Sequence, residues 1–364
     1  MNSILKEDLD IIYENITPYA AKFLSARILI TGCSGFIGFE LTAFLITKAK
    51  ELGISKITLY DLNFPDALQK QISSFNSSID NGLLAFKTHS GSCIRDFEDD
   101  FDFDFVFHLA SIASPVVYRQ LPLETIHTNT IMLKELLDLT QKNTSPELKG
   151  FLVMSSSEIY GDPDSMNIPT KESYNGNVSC IGPRACYDES KRLAETIAWI
   201  YREKYNMNVR VARPFNNFGP GLALKDGRLA ADLARSIIEN KNIVLHSDGS
   251  PTRSFCYVSD AVTMYLLHIL SQNENYTLNI GSQENEITVG DLAKIYSDVG
   301  VLLNNYENAV IYEKSEDPEY LSNNPNRRCP DVKLATETLS FSAKVPTDEG
   351  VKRYINYLLE LRDA

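Results

Sequence analysis

An α/β fold built on a doubly wound parallel sheet, with a smaller C-terminal mixed α/β part, is predicted for this chain by three observations. Strand-like apolar runs recur between helical stretches; the first runs into a glycine turn and a helix; the second ends on an aspartate about twenty residues further on. Alternation of this kind implies right-handed crossovers between parallel strands.

The first strand is Arg27-Ile28-Leu29-Ile30-Thr31, followed by Gly32-Cys33-Ser34-Gly35-Phe36-Ile37-Gly38 and then by helical spacing through Phe39, Leu41, Leu45 and Ile46. Strand, glycine turn and helix in that order form a phosphate cradle, because glycines let the backbone approach a pyrophosphate sitting on the helix N-terminus. The second strand, Lys56 to Tyr60, ends at Asp61, whose carboxylate can bond the adenosine ribose hydroxyls and so favours NAD over its 2′-phosphorylated relative. Gly32, Gly35, Phe36, Ile37, Gly38 and Asp61 are therefore cofactor-binding candidates in a Rossmann-type domain. The alternative, a helix-capping glycine turn beside a surface aspartate, leaves the second strand unexplained.

Further strand-like runs are Leu83 to Lys87, Phe105 to Leu109, Phe151 to Ser155 and Val209 to Pro214. Leu121 to Thr140 and Tyr187 to Tyr205 carry apolar residues at helical spacing and are long enough to offer an outer face to a second subunit. Beyond residue 216 the pattern becomes irregular, with more loops and short strands. The expected organisation is an N-terminal amphipathic extension (1–26), an NAD-binding domain (27–215) and a mainly substrate-binding part (216–364), partly interleaved with it.

The net charge of −13 over 364 residues argues against a nucleic-acid or anionic-membrane surface, since such partners are gathered by basic patches. An anionic ligand would have to be met by local arginines. The 43% hydrophobic and 23% charged content is ordinary for a globular protein, no apolar stretch approaches a membrane span, and the first 26 residues carry too many charges for a secretory signal. A cytoplasmic protein is expected. The six cysteines show no paired metal spacing and fit reduced thiols; with five histidines, no metal site is expected.

Tyr187 and Lys191 stand four residues apart, hence on one face of a helix, where an ammonium can favour a phenolate. A tyrosine is a poor base at neutral pH unless its pKa falls, and Ser156, in Ser155-Ser156-Ser157-Glu158-Ile159-Tyr160-Gly161, could relay a proton between a sugar hydroxyl and that phenolate. Such a pair alone also arises on solvated helices; its surroundings give it weight.

Together, the glycine turn, His108-Leu109-Ala110-Ser111, Ser156, Tyr187-x-x-x-Lys191 and Arg213-Pro214-Phe215-Asn216-Asn217-Phe218-Gly219-Pro220 resemble the extended short-chain dehydrogenases/reductases that act on nucleotide sugars. Several stretches look like UDP-glucuronate decarboxylases in particular: Ala113-Ser114-Pro115 with Tyr118, Ser157 to Pro163, Gly176-Asn177-Val178, Ile181 to Glu189, Thr252 to Val258 and Arg328-Cys329-Pro330-Asp331. The resemblance implies tightly held NAD, with Leu109, Ala110, Ser111, Tyr187 and Lys191 lining its site, and a homodimer. It also implies Ser156, Glu158, Tyr187, Lys191 and Arg328 as catalytic residues. Ser114, Pro115, Tyr118, Arg184, Asn216, Arg228, Arg253 and Arg328 become the candidates for binding a UDP-linked substrate.

By that resemblance, C4 of the sugar is oxidised, a β-keto acid loses carbon dioxide, and C4 is reduced again without net consumption of NAD. Glu158 and Arg328 would serve the carboxylate end, with diphosphate binding the alternative for Arg328. Arg253, Arg228 and Asn216 are the diphosphate set, an unpaired surface arginine being the default for Arg228. Arg184 is either a carboxylate ligand or a structural ion pair. The chain departs from the family at Cys93, where an adenine-contacting carboxylate commonly sits and for which Asp96 could substitute, at Asn63 to Asp66, and in the polar stretch Asn304 to Asn326. These departures keep a 4,6-dehydratase or 4-epimerase as alternatives. An idle NAD-binding scaffold would have no need of the intact Ser156, Tyr187 and Lys191.

Overall fold

The computed structural model describes all residues except 63, 65–68, 70, 73, 76–81, 98–99, 143–147, 314–324 and 364. The divergent residues Asn63, Pro65 and Asp66, and most of the loop after Tyr312, thus lie outside the described residues.

Six strands, β1 (Arg27–Thr31), β2 (Lys56–Asp61), β3 (Leu84–Thr88), β4 (Phe105–His108), β5 (Gly150–Met154) and β6 (Val209–Pro214), join Thr277–Ile280 in one seven-stranded sheet. The spatial order is 277–280, β6, β5, β4, β1, β2, β3, and every pair is parallel. β1 and β5 are almost wholly buried, as expected of strands covered on both faces. The strand order reverses between β1 and β4, so the carboxyl ends of these two strands open the crevice in which such folds take ligands.

Two expectations are corrected. The chain beyond residue 216 is not dominated by loops: it holds helices Leu229–Ile238, Val258–Leu270, Val289–Asn304 and Thr347–Arg362. Val258–Leu270 hides in the sequence because every one of its residues is buried, which leaves no polar stripe to mark a helical period. The predicted helix from Leu121 to Thr140 is composite: Pro122–Ile126 passes through a π-helical segment, His127–Met132, into Leu133–Lys142. The widened turn brings Asn129 to the active-site side of the bundle.

The N-terminal extension contributes helix α1 (Ser3–Ile16), whose Leu5, Leu9, Ile12 and Ile16 enter the main core. It packs on Val258–Leu270, on Thr347–Arg362 and on α2 (Phe36–Thr47), the helix that follows the glycine turn.

Candidate active site

The glycine turn has the shape its spacing implies. Gly32 takes φ +68°, and a Cβ there would lie 2.6 Å from the Ala110 nitrogen, so only glycine lets β1 and β4 diverge this tightly. A Cβ on Gly38 would meet the Gly32 carbonyl at 2.0 Å. Gly35 caps α2 without a side-chain acceptor, which leaves the N–H groups of the first turn, at Phe36 and Ile37, open to an anion. Asp61 ends β2 beside the turn: its Oδ2 accepts from the Ser34 backbone N–H at 2.9 Å and from the Ser34 hydroxyl, its Oδ1 from Leu62 N–H at 2.8 Å. Across the crevice, Leu109 and Ala110 bond back to Thr31, and the Ser111 hydroxyl donates to Asn129 Oδ1 at 2.8 Å. This cradle, closed to any Cβ and bounded by a carboxylate, fits a dinucleotide. Asp96 fits the adenine role less well, because its Oδ2 already accepts from the Tyr60 hydroxyl and from Ser90 N–H at 2.9 Å. Cys93 is buried and its N–H donates to Glu135 at 2.7 Å.

Ser156 ends the extended segment after β5, its hydroxyl accepting from Glu158 N–H at 3.2 Å, and Tyr187 and Lys191 descend from the first two turns of helix Ala185–Tyr205. All three are buried. Lys191 donates to the Met154 carbonyl at 2.7 Å, and its ammonium lies 5.7 Å from the Tyr187 ring centroid. Burial pulls Lys191 down to about 7, opposed by the Glu195 carboxylate one turn on. Tyr187 is pushed up to about 12 by burial, with hydrogen bonding from Ser156 opposing. The expected lowering of the tyrosine by its lysine neighbour is therefore not the state of the free protein, because desolvation of a fully buried phenol outweighs it. Tyr118 stacks on Tyr187 at 5.1 Å and 15°, a wall for one side of the reacting centre.

Glu158, in the 3₁₀ turn Ser157–Tyr160, is gripped by two arginines from distant segments. Arg328 donates through both terminal nitrogens, Nη2 to Oε2 at 2.8 Å, and Arg184 Nη2 reaches the same Oε2. Charge from Arg184 and Arg328 overrides burial and holds Glu158 down at about 2. Arg253 lies one strand over, in register with Arg328; burial and the Arg328 charge pull it down to about 10. Its Nη1 donates to the Thr252 carbonyl at 2.7 Å. Asp188 sits 3.6 Å from Arg184 Nε, and burial together with Glu158 pushes it up to about 7.

The structure thus brings Ser156, Glu158, Tyr187, Lys191, Arg328, Tyr118, Arg184 and Arg253 together. The other substrate candidates stand apart from this cluster. Ser114 donates to the Asp226 carbonyl at 2.6 Å just before the helix opened by Pro115, and Asn216, at φ +36°, donates to the Ser254 carbonyl at 2.9 Å. Arg228 is not an unpaired surface arginine: it is half-buried, grips Asp226 through two nitrogens, one at 2.8 Å, and covers the Phe36 ring. Asp226 stands only two residues upstream, a pairing the sequence does not advertise.

Sequence reasoning missed a supporting layer. Glu195 accepts from Arg213 at 2.9 and 2.6 Å and from the Ser155 hydroxyl, tying the helix of Lys191 to the end of β5. Asn129 donates to Ser190 Oγ at 2.8 Å, and that hydroxyl donates to the Tyr187 carbonyl at 3.0 Å. Spacing offers one clue, since Glu195 is four residues beyond Lys191 on the same helical face.

A family model described as the NAD dependent epimerase/dehydratase family matches residues 28–281. UDP-glucuronic acid decarboxylase 1 of Xenopus tropicalis is 34% identical over 340 residues, covering 92% of this chain and 74% of that protein. UDP-glucuronic acid decarboxylase 3 of Arabidopsis thaliana is 32% identical over 325 residues, with 89% and 86% covered. Among solved structures, UDP-glucose 4-epimerase of Thermotoga maritima shares the fold at a TM-score of 0.76 and 23% identity, covering 92% of this chain and 99% of that one. UDP-glucuronic acid 4-epimerase of Bacillus cereus, solved with UDP-glucuronic acid and NAD, does so at 0.73 and 19%, with 92% and 99% covered.

Proposed function

From the premise that this chain belongs to the NAD dependent epimerase/dehydratase family, we propose that it decarboxylates UDP-glucuronate to UDP-xylose through a 4-keto sugar. The single observation that carries this reading is the carboxylate with its arginines beside the reacting pair: Glu158, Arg184 and Arg328 converge next to Ser156 and Tyr187. The similarity to decarboxylases over most of the chain supports it.

NAD, when bound, accepts the C4 hydride and later returns it. The glycine turn and Asp61 would hold its diphosphate and adenosine ribose. Tyr187, relayed by Ser156, takes the proton of the 4-hydroxyl, and Lys191 supports the phenolate that this demands. The resulting sugar is a β-keto acid, and its carbon dioxide leaves because the 4-keto oxygen absorbs the electron pair. Arg328 stands where it can orient the carboxylate and return a proton toward C5.

The same geometry disfavours a 4,6-dehydratase. That reaction needs Glu158 as an acid toward a departing 6-hydroxyl, whereas two guanidiniums keep Glu158 ionised. A 4-epimerase needs only Ser156, Tyr187 and Lys191, and leaves the arginine cluster without a task.

Assembly and location belong to the same proposal. Exposed Leu123, Ile126, Leu193, Trp199 and Ile200 on the two long helices support a homodimer through a helical bundle. All six cysteines are free thiols, which supports a reducing compartment such as the cytoplasm, and no described helix is long and apolar enough to cross a membrane.

Incubation with UDP-glucuronate, followed by mass detection of UDP-xylose and carbon dioxide without net formation of NADH, tests the reading. Conversion to UDP-galacturonate alone would replace it with epimerisation.

A further inference from the structure

Three segments far apart in sequence meet at one carboxylate. Glu158 stands two residues after Ser156, Arg184 precedes the helix of Tyr187, and Arg328 lies on the two-residue strand Arg327–Arg328 alongside Thr252–Ser254. Arg328 presents its fork to Glu158 and fills it, since both terminal nitrogens donate to the two carboxylate oxygens. Arg184 adds a further bond to Oε2. The charges do not balance: Arg184, Arg253 and Arg328 face one ionised carboxylate, while Asp188 beside them is pushed up to about 7. A buried excess of guanidinium charge is costly until an anion arrives. The Arg328 fork is nevertheless already occupied, so an incoming carboxylate has to take a donor from Glu158.

Arg184 is the more loosely held of the two. Its Nε has no hydrogen-bond partner, and it lies 3.6 Å from Asp188 Oδ2, whose sister oxygen Oδ1 is also unsatisfied. An arginine with one bond to Glu158 and an unfilled donor can turn without leaving an orphaned fork behind.

We propose that Glu158 is an internal stand-in for the substrate carboxylate: it holds Arg184 and Arg328 together in the free protein, and an anionic group at C5 of the sugar takes Arg184 from it on binding. The proposal rests on the uronate reading above. Its consequence is selectivity set by competition. A sugar with a carboxylate repays the Glu158–Arg184 contact it breaks, whereas a neutral sugar gains nothing by breaking it and binds with the clamp shut.

The test is calorimetric titration of UDP-glucuronate and of UDP-xylose, the same nucleotide and ring without the carboxylate, into wild type, Glu158→Gln and Glu158→Gln/Arg184→Met. Removing the competing charge should widen the affinity ratio in favour of UDP-glucuronate by about tenfold, the scale of one charge-assisted hydrogen bond, and Arg184→Met should take that gain away. An unchanged or narrowed ratio in Glu158→Gln overturns the exchange; a gain that persists in the double variant overturns the assignment to Arg184. Should Glu158→Gln not fold, as judged by its melting transition, Glu158→Asp is the substitute, since it keeps the charge but withdraws it by one methylene, and the same widening is expected. Carbon dioxide release by wild type separates the two readings: release with an unwidened ratio keeps decarboxylation and rejects the exchange, and a widened ratio without release does the reverse.

Discussion

Lys191 lies one helical turn beyond Tyr187, yet its ammonium is spent on the Met154 carbonyl, 2.7 Å away, at the end of the strand that leads to Ser156. The lysine therefore locks the helix to the strand as well as supplying charge. Burial holds Tyr187 up near 12, so the proton of the 4-hydroxyl has to move as hydride leaves rather than onto a preformed phenolate.

Tyr187→Phe should abolish turnover and leave dinucleotide binding intact, because the cradle of Gly32, Gly38 and Asp61 does not involve the hydroxyl. A loss of about 10²–10⁴-fold in kcat is the scale of general-base catalysis. Retention of more than about a hundredth of wild-type turnover contradicts that role.

That pairing was legible in sequence, as were the glycine turn and six of the seven sheet strands to within a residue or so, because each is written in local spacing. Pairings between distant segments were not. The grip of Arg184 and Arg328 on Glu158 joins positions up to 170 residues apart, and Arg213 meets Glu195 only once β6 lies beside β5. The depth of burial, which reverses the shift expected for Tyr187, is likewise a property of packing. Helix Val258–Leu270 escaped because full burial erases the amphipathic period.

A pH-dependent stability is built in behind the glycine turn. Glu40, on α2, is wholly buried with neither oxygen hydrogen-bonded, beside Asp8 of α1, while Arg353 of the last helix and the Tyr257 hydroxyl are both bonded to Asp8. Burial, reinforced by Asp8, pushes Glu40 well above its ordinary 4.5, and burial pushes Asp8 up to about 6 against the pull of Arg353. The folded state thus binds more protons than the unfolded one over this range. The stability it confers is full below about 4 and is lost as pH rises through the folded values. Glu7 and Tyr357, the remaining titratable groups facing the cluster, do not supply a compensating cation. Glu40→Met should flatten the fall in denaturation midpoint between pH 5 and 8 and stabilise the protein at neutral pH by about 1–3 kcal/mol, the cost of an unsatisfied buried polar group. An unchanged slope would assign the pH dependence elsewhere.

The proposed homodimer makes a separate claim on the outer faces of Pro122–Lys142 and Ala185–Tyr205. Leu193 and Ile200 are seven residues apart on the second helix, so both point the same way, and both are exposed. Sedimentation at micromolar concentration should find a dimer in wild type and a monomer in Leu193→Glu/Ile200→Glu. A wild-type monomer at that concentration rejects the assembly.

Arg328 decides between two chemistries for the arginine cluster. Its bidentate bond to Glu158 places it beside the reacting pair, while its register with Arg253 leaves a diphosphate within the same charged wall. If it serves a substrate carboxylate, wild type should prefer UDP-glucuronate to UDP-glucose by roughly ten- to a hundredfold, the equivalent of a charge-assisted hydrogen bond of about 1.5–3 kcal/mol. Arg328→Ala should then erase most of that preference and leave the affinity for UDP itself nearly unchanged. An arginine that holds the diphosphate behaves differently, because all three ligands share that group and all three weaken alike. Calorimetric titration of UDP, UDP-glucose and UDP-glucuronate into wild type and Arg328→Ala separates these outcomes, and uniform weakening removes Arg328 from the decarboxylation step.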